Sequence, residues 1–317
     1  MRFGFRVIVI INDISYAPYM KRTLNWPPEQ AHTHRQAAHW QHAISNICLD
    51  FHGDPLTAQL TVFSDGNHHM ALQETLALFL QQHSEVNDVF YATTPPNVLF
   101  SYLENGGLSL GNLHLSRLPH VFISPSDVMN KLVNEGFINS HRTFMQSKGN
   151  VLLVRKENPK KIHGIVDLLR DDVRLFISNP QTERASYEVY RDTLLSLAQE
   201  QGLESKLLEQ KLSGENSNIV FGERIHHREV PQALYDDQAD VAMVYYHLAL
   251  RYTRIFPNDF EMIFPSGGTE HTVSTHIITT YQAGLLLDAG DWGTAFLDFL
   301  FSEQVSDIYQ FHGLSRP

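Results

Sequence analysis

The chain has 317 residues, of which 43% are hydrophobic and 19% charged, a composition typical of a soluble globular protein with room for two domains. Its formal net charge of -11, from 35 acidic and 24 basic residues, argues against a nucleic-acid partner, because such partners favour basic surfaces. Cys48 is the single cysteine, which excludes an intramolecular disulfide and a zinc site built from several cysteines. No apolar run is long enough to cross a bilayer, so we expect no stable membrane insertion.

Residues 1–58 form an N-terminal extension that is predicted to be partly helical. Pro28 suits a helix start, and the helix is expected to continue to Cys48. The opening MRFGFRVIVIINDISYAPYM has two arginines and a short apolar run, as a secretory signal does, but polar residues interrupt the run and no cleavage site follows. A β-strand or an irregular start is therefore favoured. The histidines of the predicted helix are expected to line a solvated face rather than bind metal: His32, His34, His39 and His42.

From Leu60 onward, short apolar strands alternate with amphipathic helices. LTVFS, DVFYATT and HVFIS are strand-like, and each precedes a segment with an apolar stripe at helical spacing. A second series begins at NVLLVRKENP and continues through RLFISNP, a long helix, IVFGERIHHREVPQAL and ADVAMVYY. FEMIFPSGG and TVSTHIITTY are predicted to be strands, and GTAFLDFLFSEQVSDIYQFHG a final helix. This alternation predicts an α/β fold built from right-handed βαβ units around a parallel sheet.

Polar residues follow several of these strands. In open α/β sheets, ligands bind beyond the carboxyl ends of the strands and beside helix N-termini, where unpaired N–H groups favour negative charge. The loops at these positions offer mainly hydroxyl, amide and N–H donors, which suit an oxyanion. Ser126 is predicted to cap the helix after the third strand. The candidate ligand-binding residues are Ser64, Asp65, Gly66, Asn67, His68, Thr93, Thr94, Ser124, His227, Arg228, Tyr245 and Tyr246.

The segment IHHRE precedes a helix that is predicted to begin at Glu229, and it allows three interpretations. Arg228 is suited to bidentate contact with an oxyanion and can form an anion clamp with the histidines. The histidines can instead ligate a transition metal together with other histidines of the chain. In the third interpretation Glu229 caps the helix and Arg228 pairs with an acidic neighbour. We expect no metal site that uses His226 and His227 together, because adjacent side chains on a helix diverge by about 100°.

The chain lacks the common sequence motifs of catalysis. It has no G-x-S-x-G elbow, no P-loop and no G-x-G-x-x-G fingerprint. We therefore expect a binding protein without a cofactor or metal rather than an enzyme. A general base among the 18 histidines remains an alternative, so a metal-dependent enzyme with a histidine-rich cleft stays open.

Several segments carry a resemblance to a known family. LTVFSDGNHHMALQETLALFLQQHSEV, DVFYATTPPNVLFSYLENGG, HVFISPSDVMNKLVNEGFI and GNVLLVRKENPKKIHGIVDLL resemble, in this order, the ModA-like molybdate/tungstate solute-binding proteins of ABC importers, which are type II periplasmic binding proteins. IHHREVPQALYDDQADVAMVYYHLA resembles the late segment of that family, especially a divergent subgroup with a histidine-histidine-arginine-glutamate motif. The resemblance covers Leu60 to Pro317.

The resemblance implies a type II periplasmic-binding-protein fold, with two α/β lobes around a cleft and two crossovers between them. Residues 59–148 and 262–317 would form the first lobe, and residues 149–261 the second. The two crossovers permit hinge closure around a ligand.

Family binding positions carry over onto the candidate residues. The first binding loop falls on Ser64–Asn67, the second on Thr93 and Thr94, and the late tyrosine on Tyr245 or Tyr246. The first loop of the family usually has small residues and serine, so the aspartate at position 65 is a departure that puts molybdate itself in doubt.

The implied function is capture of a small anion, such as the oxyanions molybdate or tungstate, by a monomer that delivers it to the permease of an ABC importer. The resemblance implies a periplasmic location, while the absence of a clear signal peptide leaves a cytoplasmic one open. Besides the metal-dependent enzyme, the alternative is a cytoplasmic ligand sensor of the same fold. A sensor would need an attached DNA-binding module, and residues 1–58 contain no convincing helix-turn-helix.

Overall fold

The structure is a computed structural model that describes Leu24 and residues 51–110, 112–215, 218–223, 225–267 and 277–317. The predicted N-terminal helix with its histidines, Cys48 and the signal-like start lie outside these residues. The first half of the predicted strand TVSTHIITTY also lies outside them.

The strands of the described residues alternate with helices, as the sequence predicts. In chain order they are β1 (Phe51–His52), β2 (Leu60–Ser64), β3 (Val89–Ala92), β4 (Leu108–Leu110), β5 (Leu113–Leu115), β6 (Val121–Pro125), β7 (Arg142–Gln146), β8 (Asn150–Arg155), β9 (Leu175–Ile177), β10 (Ile219–Phe221), β11 (Val241–Tyr245), β12 (Phe260–Ile263) and β13 (Thr280–Leu285).

The α-helices lie between and after these strands. In chain order they are α1 (His69–Gln82), α2 (Pro96–Glu104), α3 (Ser126–Asn134), α4 (Arg184–Glu200), α5 (Ser205–Gln210), α6 (His226–Tyr235), α7 (Tyr246–Ile255), α8 (Gly290–Leu300) and α9 (Glu303–Phe311). A 3₁₀ turn, Gly66–His68, directly precedes α1.

The first sheet has six strands in the order β1-β3-β2-β6-β13-β7. Its centre is parallel, because β2 runs parallel to both β3 and β6. β13 is antiparallel to β6 and β7, and β1 is antiparallel to β3. The sheet is thus mixed, not wholly parallel as the alternation predicts, because β13 arrives by a crossover from the other sheet rather than through a βαβ unit. Helices α1, α8 and α9 cover one face, and α2 and α3 cover the other.

The second sheet has five strands in the order β10-β9-β11-β8-β12. β9 is parallel to β10 and β11, whereas β8 is antiparallel to β11 and β12. The strands β8 and β11 are almost entirely buried, and their apolar side chains form one core with residues of α4, α6 and α7. Each of the two sheets therefore has a hydrophobic core of its own.

The chain crosses between the sheets twice, after β7 and after β12. The described parts of the two connections lie side by side. The N–H of Ser147 donates to the carbonyl of Thr279 (2.8 Å), and the N–H of Thr279 donates to the hydroxyl of Ser147 (3.0 Å). Two adjacent connecting segments thus join the lobes, a geometry that allows hinge closure.

Side chains also pack between the lobes away from the crossovers. Met70 on α1 lies 4% exposed within the core of the second sheet. Helix α7, which belongs to the second sheet, packs against the C-terminal segment of the first. A Cβ at Gly313 would lie 3.0 Å from the ring of Tyr246, and Arg254 donates to the carbonyl of Phe311 (2.8 Å). The lobes therefore meet along α1, α7 and the C-terminal segment.

Three predicted element boundaries differ in the structure. Helix α6 begins at His226 and not at Glu229. The N-cap of helix α3 is Pro125 and not Ser126, and the hydroxyl of Ser126 instead lies 3.0 Å from that of Thr280. The predicted final helix is two helices, because Ser302 accepts a hydrogen bond from the N–H of Val305 and starts α9.

Two of the predicted segment boundaries can be compared with the strands of the sheets. Residues 51–52 belong to the predicted N-terminal extension, yet they pair with β3 in the first sheet. The predicted lobe boundary between residues 261 and 262 falls within β12. The division of the chain into lobes at these exact residues stays a prediction.

Candidate functional site

The loop after β2 brings Asp65 to the edge of the first sheet. The N–H of Asp65 donates to the carbonyl of Ile123 in β6 (3.0 Å), which ties the loop to the neighbouring strand. Its carboxylate accepts the backbone N–H of Asn67 (2.6 Å) and the side-chain amide of Asn67 (3.2 Å), and so caps the 3₁₀ turn. A Cβ at Gly66 would lie 2.6 Å from the carbonyl oxygen of Thr93, so only glycine permits this approach of the first two loops.

His68 is bonded inside the first lobe. Its Nε2 lies 3.1 Å from the hydroxyl of Ser64, and its Nδ1 lies 3.0 Å from the hydroxyl of Tyr309 on α9. Burial lowers the pKa of His68 to about 3, and the charges of His247 and His69 act in the same direction. Both ring nitrogens are thus engaged by internal partners, so this candidate ligand residue primarily fixes α9 against the loop after β2.

The other candidate residues of the first lobe lie at the same sheet edge. Thr93, Thr94 and Ser124 are buried at the ends of β3 and β6. The hydroxyl of Thr93 lies 3.4 Å from Nε2 of His52. The hydroxyl of Ser124 is fully buried and has no hydrogen-bond partner among the described residues. An unpaired buried hydroxyl is costly, and this distinguishes Ser124 from the other candidate residues of the first lobe.

The second lobe presents Tyr245 and His247 to this edge. Tyr245 ends β11, and its hydroxyl accepts a hydrogen bond from that of Thr279 on the crossover (3.3 Å). The ring of His247 stacks on Tyr245 at 5.3 Å and lies 6.4 Å from the ring of Tyr281 on β13. Tyr281 in turn lies 4.8 Å from the ring of His68. Aromatic and imidazole rings therefore form a continuous contact from one lobe to the other.

Two polar side chains in this contact lack partners within the described part of the chain. The hydroxyl of Tyr281 is fully buried without a hydrogen bond. Burial lowers the pKa of His247 to about 3, an effect that the nearby backbone of Asn67 partly opposes, yet neither ring nitrogen makes a hydrogen bond of normal geometry. The cleft thus holds unpaired donors from both lobes.

The carboxylate of Asp65 lies within electrostatic range of Tyr245 and Tyr281. It is 3% exposed, and burial raises its pKa to about 6, against the hydrogen bonds from Asn67. The carboxylate of Asp127 on α3 adds to this rise. Burial also raises the pKa of Tyr245 and Tyr281, and the charge of Asp65 contributes to both shifts. Asp65 is therefore a buried carboxylate within electrostatic range of tyrosines from both lobes.

The segment IHHRE forms the first turn of α6. The carboxylate of Glu229 accepts the backbone N–H groups of Glu223 (2.7 Å) and Ile225 (3.0 Å). The carboxylate of Glu183, before α4, accepts the N–H of His226 (2.8 Å). Carboxylates of the chain itself thus accept the first N–H group of α6 and two N–H groups just before it, which agrees with the capping interpretation of Glu229.

The two histidines of this turn have different neighbours. The ring of His226 is 1% exposed, stacks on Phe176 at 5.2 Å and makes no hydrogen bond of normal geometry in the described structure, although the backbone of Phe176 is near enough to oppose slightly the fall in its pKa. Burial lowers its pKa to about 3. The pKa of His227 is lowered by burial, then by the charges of Arg228 and His69. His226 thus lies in the core of the second lobe, and His227 lies within electrostatic range of the first.

Arg228 is half-buried and lies within electrostatic range of Tyr252. Burial raises the pKa of Tyr252, and the positive charge of Arg228 acts in the opposite direction. The hydroxyl of Tyr252 donates to the carbonyl of His227. Tyr246, the other candidate on α7, has its ring against Gly313 and so faces the C-terminal segment. Among the residues that the structure describes, no group of three or more histidine, cysteine, aspartate or glutamate side chains is placed to hold a metal ion.

Sequence reasoning missed several residues at the junction of the lobes. Tyr281 and Tyr309 belong to regular apolar patterns of a strand and a helix, where a buried tyrosine gives no local signal. Thr279 lies in the connection before β13, where the sequence has no helical or strand periodicity. His247 differs from these residues, because it follows the end of β11 closely. The rule that identifies Tyr245 therefore identifies His247 as well.

The structure has two α/β lobes, each built on a mixed sheet, and paired crossovers join them across a cleft. This is the two-lobed fold of the periplasmic solute-binding proteins. The model of the bacterial extracellular solute-binding protein family matches residues 60–315, and the chain belongs to this family. This family is broader than the ModA-like group that the sequence resembles, and the histidine-histidine-arginine-glutamate subgroup stays a prediction. No curated protein matches the chain.

Solved structures similar to this chain share its fold at low sequence identity. The substrate-binding domain of a putative molybdenum ABC transporter from Clostridium difficile is 18% identical, with a TM-score of 0.56 over 81% of this chain and 98% of that one. The periplasmic molybdate-binding protein of Azotobacter vinelandii is 17% identical, with a TM-score of 0.57 over 82% and 100%. The sulfate-binding protein SubI from Mycobacterium tuberculosis is 14% identical, with a TM-score of 0.57 over 81% and 86%. No helix within the described residues combines the length and apolarity needed to cross a bilayer.

Proposed function

We propose that this protein captures a small anion in the cleft between its two lobes and delivers it to the permease of an ABC importer. The observation that carries the proposal is the fully buried hydroxyl of Tyr281, which has no partner in the described structure and whose ring lies beside His68 of the first lobe and His247 of the second. A buried hydroxyl without a partner is destabilising by about 1–3 kcal/mol. A bound anion that accepts from this hydroxyl would remove this cost.

The candidate residues divide into direct and supporting roles in this proposal. Solute contacts are assigned to Asp65, Asn67, Thr93, Thr94, Ser124, His227, Arg228 and Tyr245. Ser64 and His68 hold the first loop through their mutual hydrogen bond, and Gly66 allows its close approach to Thr93. Tyr246 positions α7 against the C-terminal segment. Arg228 supplies positive charge from the second lobe, which attracts an anion as the lobes close.

The family and the fold support the importer part of the proposal. Solute-binding proteins of this fold close two lobes about a hinge, and the paired connections at Ser147 and Thr279 provide one. The structural neighbours whose names refer to molybdate and sulfate support an oxyanion as the solute. We propose a monomer that works on the outer side of the cytoplasmic membrane, with the permease as its protein partner.

A ligand screen on the purified protein tests this function. Melting temperatures would be measured with molybdate, tungstate, sulfate, phosphate, small organic acids, divalent metals and neutral sugars. A ligand that binds only the folded state raises the melting temperature in proportion to the logarithm of its concentration. We expect an anion to raise it and a calorimetric titration to give one site per chain. Stabilisation by metals or sugars alone would contradict the proposal.

A further inference from the structure

The side chain of His247 lies at the contact between the two lobes. It belongs to the first turn of α7, which follows β11 of the second lobe without a gap. Its ring stacks on Tyr245 at 5.3 Å and meets the ring of Tyr281, on β13 of the first lobe, edge-on at 6.4 Å. The backbone of Asn67, in the 3₁₀ turn after β2, approaches it from the first lobe too. Groups of both lobes therefore enclose His247, which is 1% exposed.

The enclosed ring of His247 has no acceptor for an additional proton. Neither of its nitrogens makes a hydrogen bond of normal geometry within the described residues. A neutral imidazole has one N–H donor, whereas an imidazolium has two N–H donors and a charge. Burial of a charge without a partner is far more costly than burial of a neutral ring. The closed arrangement, in which the lobes are in contact, therefore requires a neutral His247.

The charged groups around His247 also disfavour a proton on its ring. Four imidazoles from the 3₁₀ turn, α1, α6 and the end of α9 lie within electrostatic range of it: His68, His69, His227 and His312. Three arginines add positive charge beside these rings: Arg228, Arg251 and Arg254. Of the carboxylates, Glu74 lies 2.9 Å from the ring of His312, and Asp65 caps the 3₁₀ turn. A proton on His247 would thus be placed among positive or protonatable groups.

Separation of the lobes exposes His247 but not the other deeply buried histidines. His68 lies between two hydroxyls inside the first lobe, and His226 lies in the core of the second. Movement of the first lobe away from α7 takes Tyr281 and the backbone of Asn67 away from His247 and admits water to its ring. A solvated imidazole takes up a proton near pH 6.5. Just below this pH, the open form therefore binds a proton that the closed form excludes.

We infer that His247 is a pH-sensitive switch between the lobes, which permits the closed arrangement when neutral and holds the lobes apart when protonated. Protons that bind only the open form shift the population towards it as the pH falls. Burial lowers the pKa of His247 in the closed arrangement to about 3, so only the open form titrates between pH 7.5 and pH 5.5. With an ordinary pKa of about 6.5 in the open form, this one histidine raises the ratio of open to closed forms about tenfold over that range. Acid then promotes release of a solute held by both lobes, a consequence that rests on the proposed function, whereas the switch itself does not.

The test measures lobe separation in the solute-free protein. Small-angle X-ray scattering at pH 7.5, 6.5 and 5.5 gives the radius of gyration, and far-UV circular dichroism at the same pH values reports whether the chain stays folded. We expect the radius of gyration to increase as the pH falls and to return on neutralisation, with constant circular dichroism. A constant radius of gyration overturns the inference. Loss of the circular dichroism signal also overturns it, because the chain then unfolds instead of opening.

A pair of variants assigns the opening to His247. His247→Phe keeps a ring against Tyr245 but cannot take up a proton, so its radius of gyration should not change with pH. His114→Phe is the matched control and should open as the wild type does, because His114 is exposed and lies 3.0 Å from the hydroxyl of Ser109 in the first lobe. If His247→Phe does not fold, His247→Gln supplies a polar side chain without a titrating proton, and the wild-type series still decides.

Acid opening of the non-titrating variant to the same extent as the wild type would assign the switch to another group and overturn the inference. Failure of every anion in the ligand screen defeats the proposed function and leaves the scattering result standing.

Discussion

The substitution Ser124→Ala separates the stability of the free protein from its affinity. The hydroxyl of Ser124 is fully buried and lacks a partner in the described structure, so its removal takes away a desolvation cost rather than a bond. We expect the free energy of unfolding of the ligand-free protein to stay constant or to rise by up to about 1 kcal/mol. If the hydroxyl donates to the anion, binding should weaken by about 1.5–3 kcal/mol, which is roughly 10–150-fold.

The matched control is Ser306→Ala. Ser306 on α9 is 8% exposed, and its hydroxyl accepts a hydrogen bond from the side chain of Gln310 (3.2 Å). Its removal should lower the free energy of unfolding by about 0.5–1.5 kcal/mol and leave affinity unchanged. Urea unfolding without ligand gives the first quantity, and calorimetric titration with the anion from the ligand screen gives the second. The reasoning is refuted if Ser124→Ala loses stability as the control does and keeps full affinity.

Two further predictions concern the first turn of α6. Arg228→Ala should weaken anion binding by about 1.5–3 kcal/mol in a calorimetric titration, whereas Glu229→Gln, which mainly disturbs the bonds to Glu223 and Ile225, should reduce the melting temperature and leave affinity unchanged. His226→Phe should stabilise the protein in urea unfolding, because the ring of His226 is buried without a hydrogen bond, and the gain should be about 2 kcal/mol larger at pH 5 than at pH 8.

The pH dependence of the last prediction follows from the direction of the shift. The pKa of His226 is lowered from its usual 6.5 to about 3, so only the unfolded chain takes up this proton between these values. The contribution of neutral His226 to stability is complete above pH 6.5 and declines as the pH falls towards 3, and the phenylalanine variant lacks this decline. An equal gain at both pH values would contradict the burial of the ring. For Arg228→Ala, unchanged anion affinity together with a lower melting temperature would indicate that Arg228 has a purely structural role.

Local patterns were sufficient for the loops of the first lobe. The polar residues Ser64–Asn67 stand directly after an apolar strand, and the parallel pairing of β2 with β3 and β6 brings Thr93 and Ser124 to the same edge. The loops meet there because parallel strands end at one edge of a sheet. This part of the candidate site follows from periodicity and from the alternation of strands and helices.

Contacts between distant parts of the chain escape such reasoning. The sequence predicts that His68 binds the ligand, yet its Nδ1 lies at hydrogen-bond distance from the hydroxyl of Tyr309, 241 positions later. It also predicts the start of α6 three residues late, because the residue before the helix, Ile225, has no capping side chain. The carboxylates that satisfy this helix start come from Glu229 inside the helix and from Glu183, 43 positions earlier. Only the tertiary structure supplies such partners.

Met70 adds a preference for closure that is independent of any solute. It stands on α1, immediately after the loop and turn of the candidate site, and its side chain lies in the core of the opposite lobe. Full burial of such a side chain is worth about 1.5–3 kcal/mol, and movement of α1 away from that lobe would return its surface to water. This burial favours the closed arrangement whether or not a solute is bound, so a solute would in part select an arrangement that the free protein already adopts. Affinity measured at the cleft therefore includes a balance between open and closed forms, to which a thioether outside the candidate site contributes.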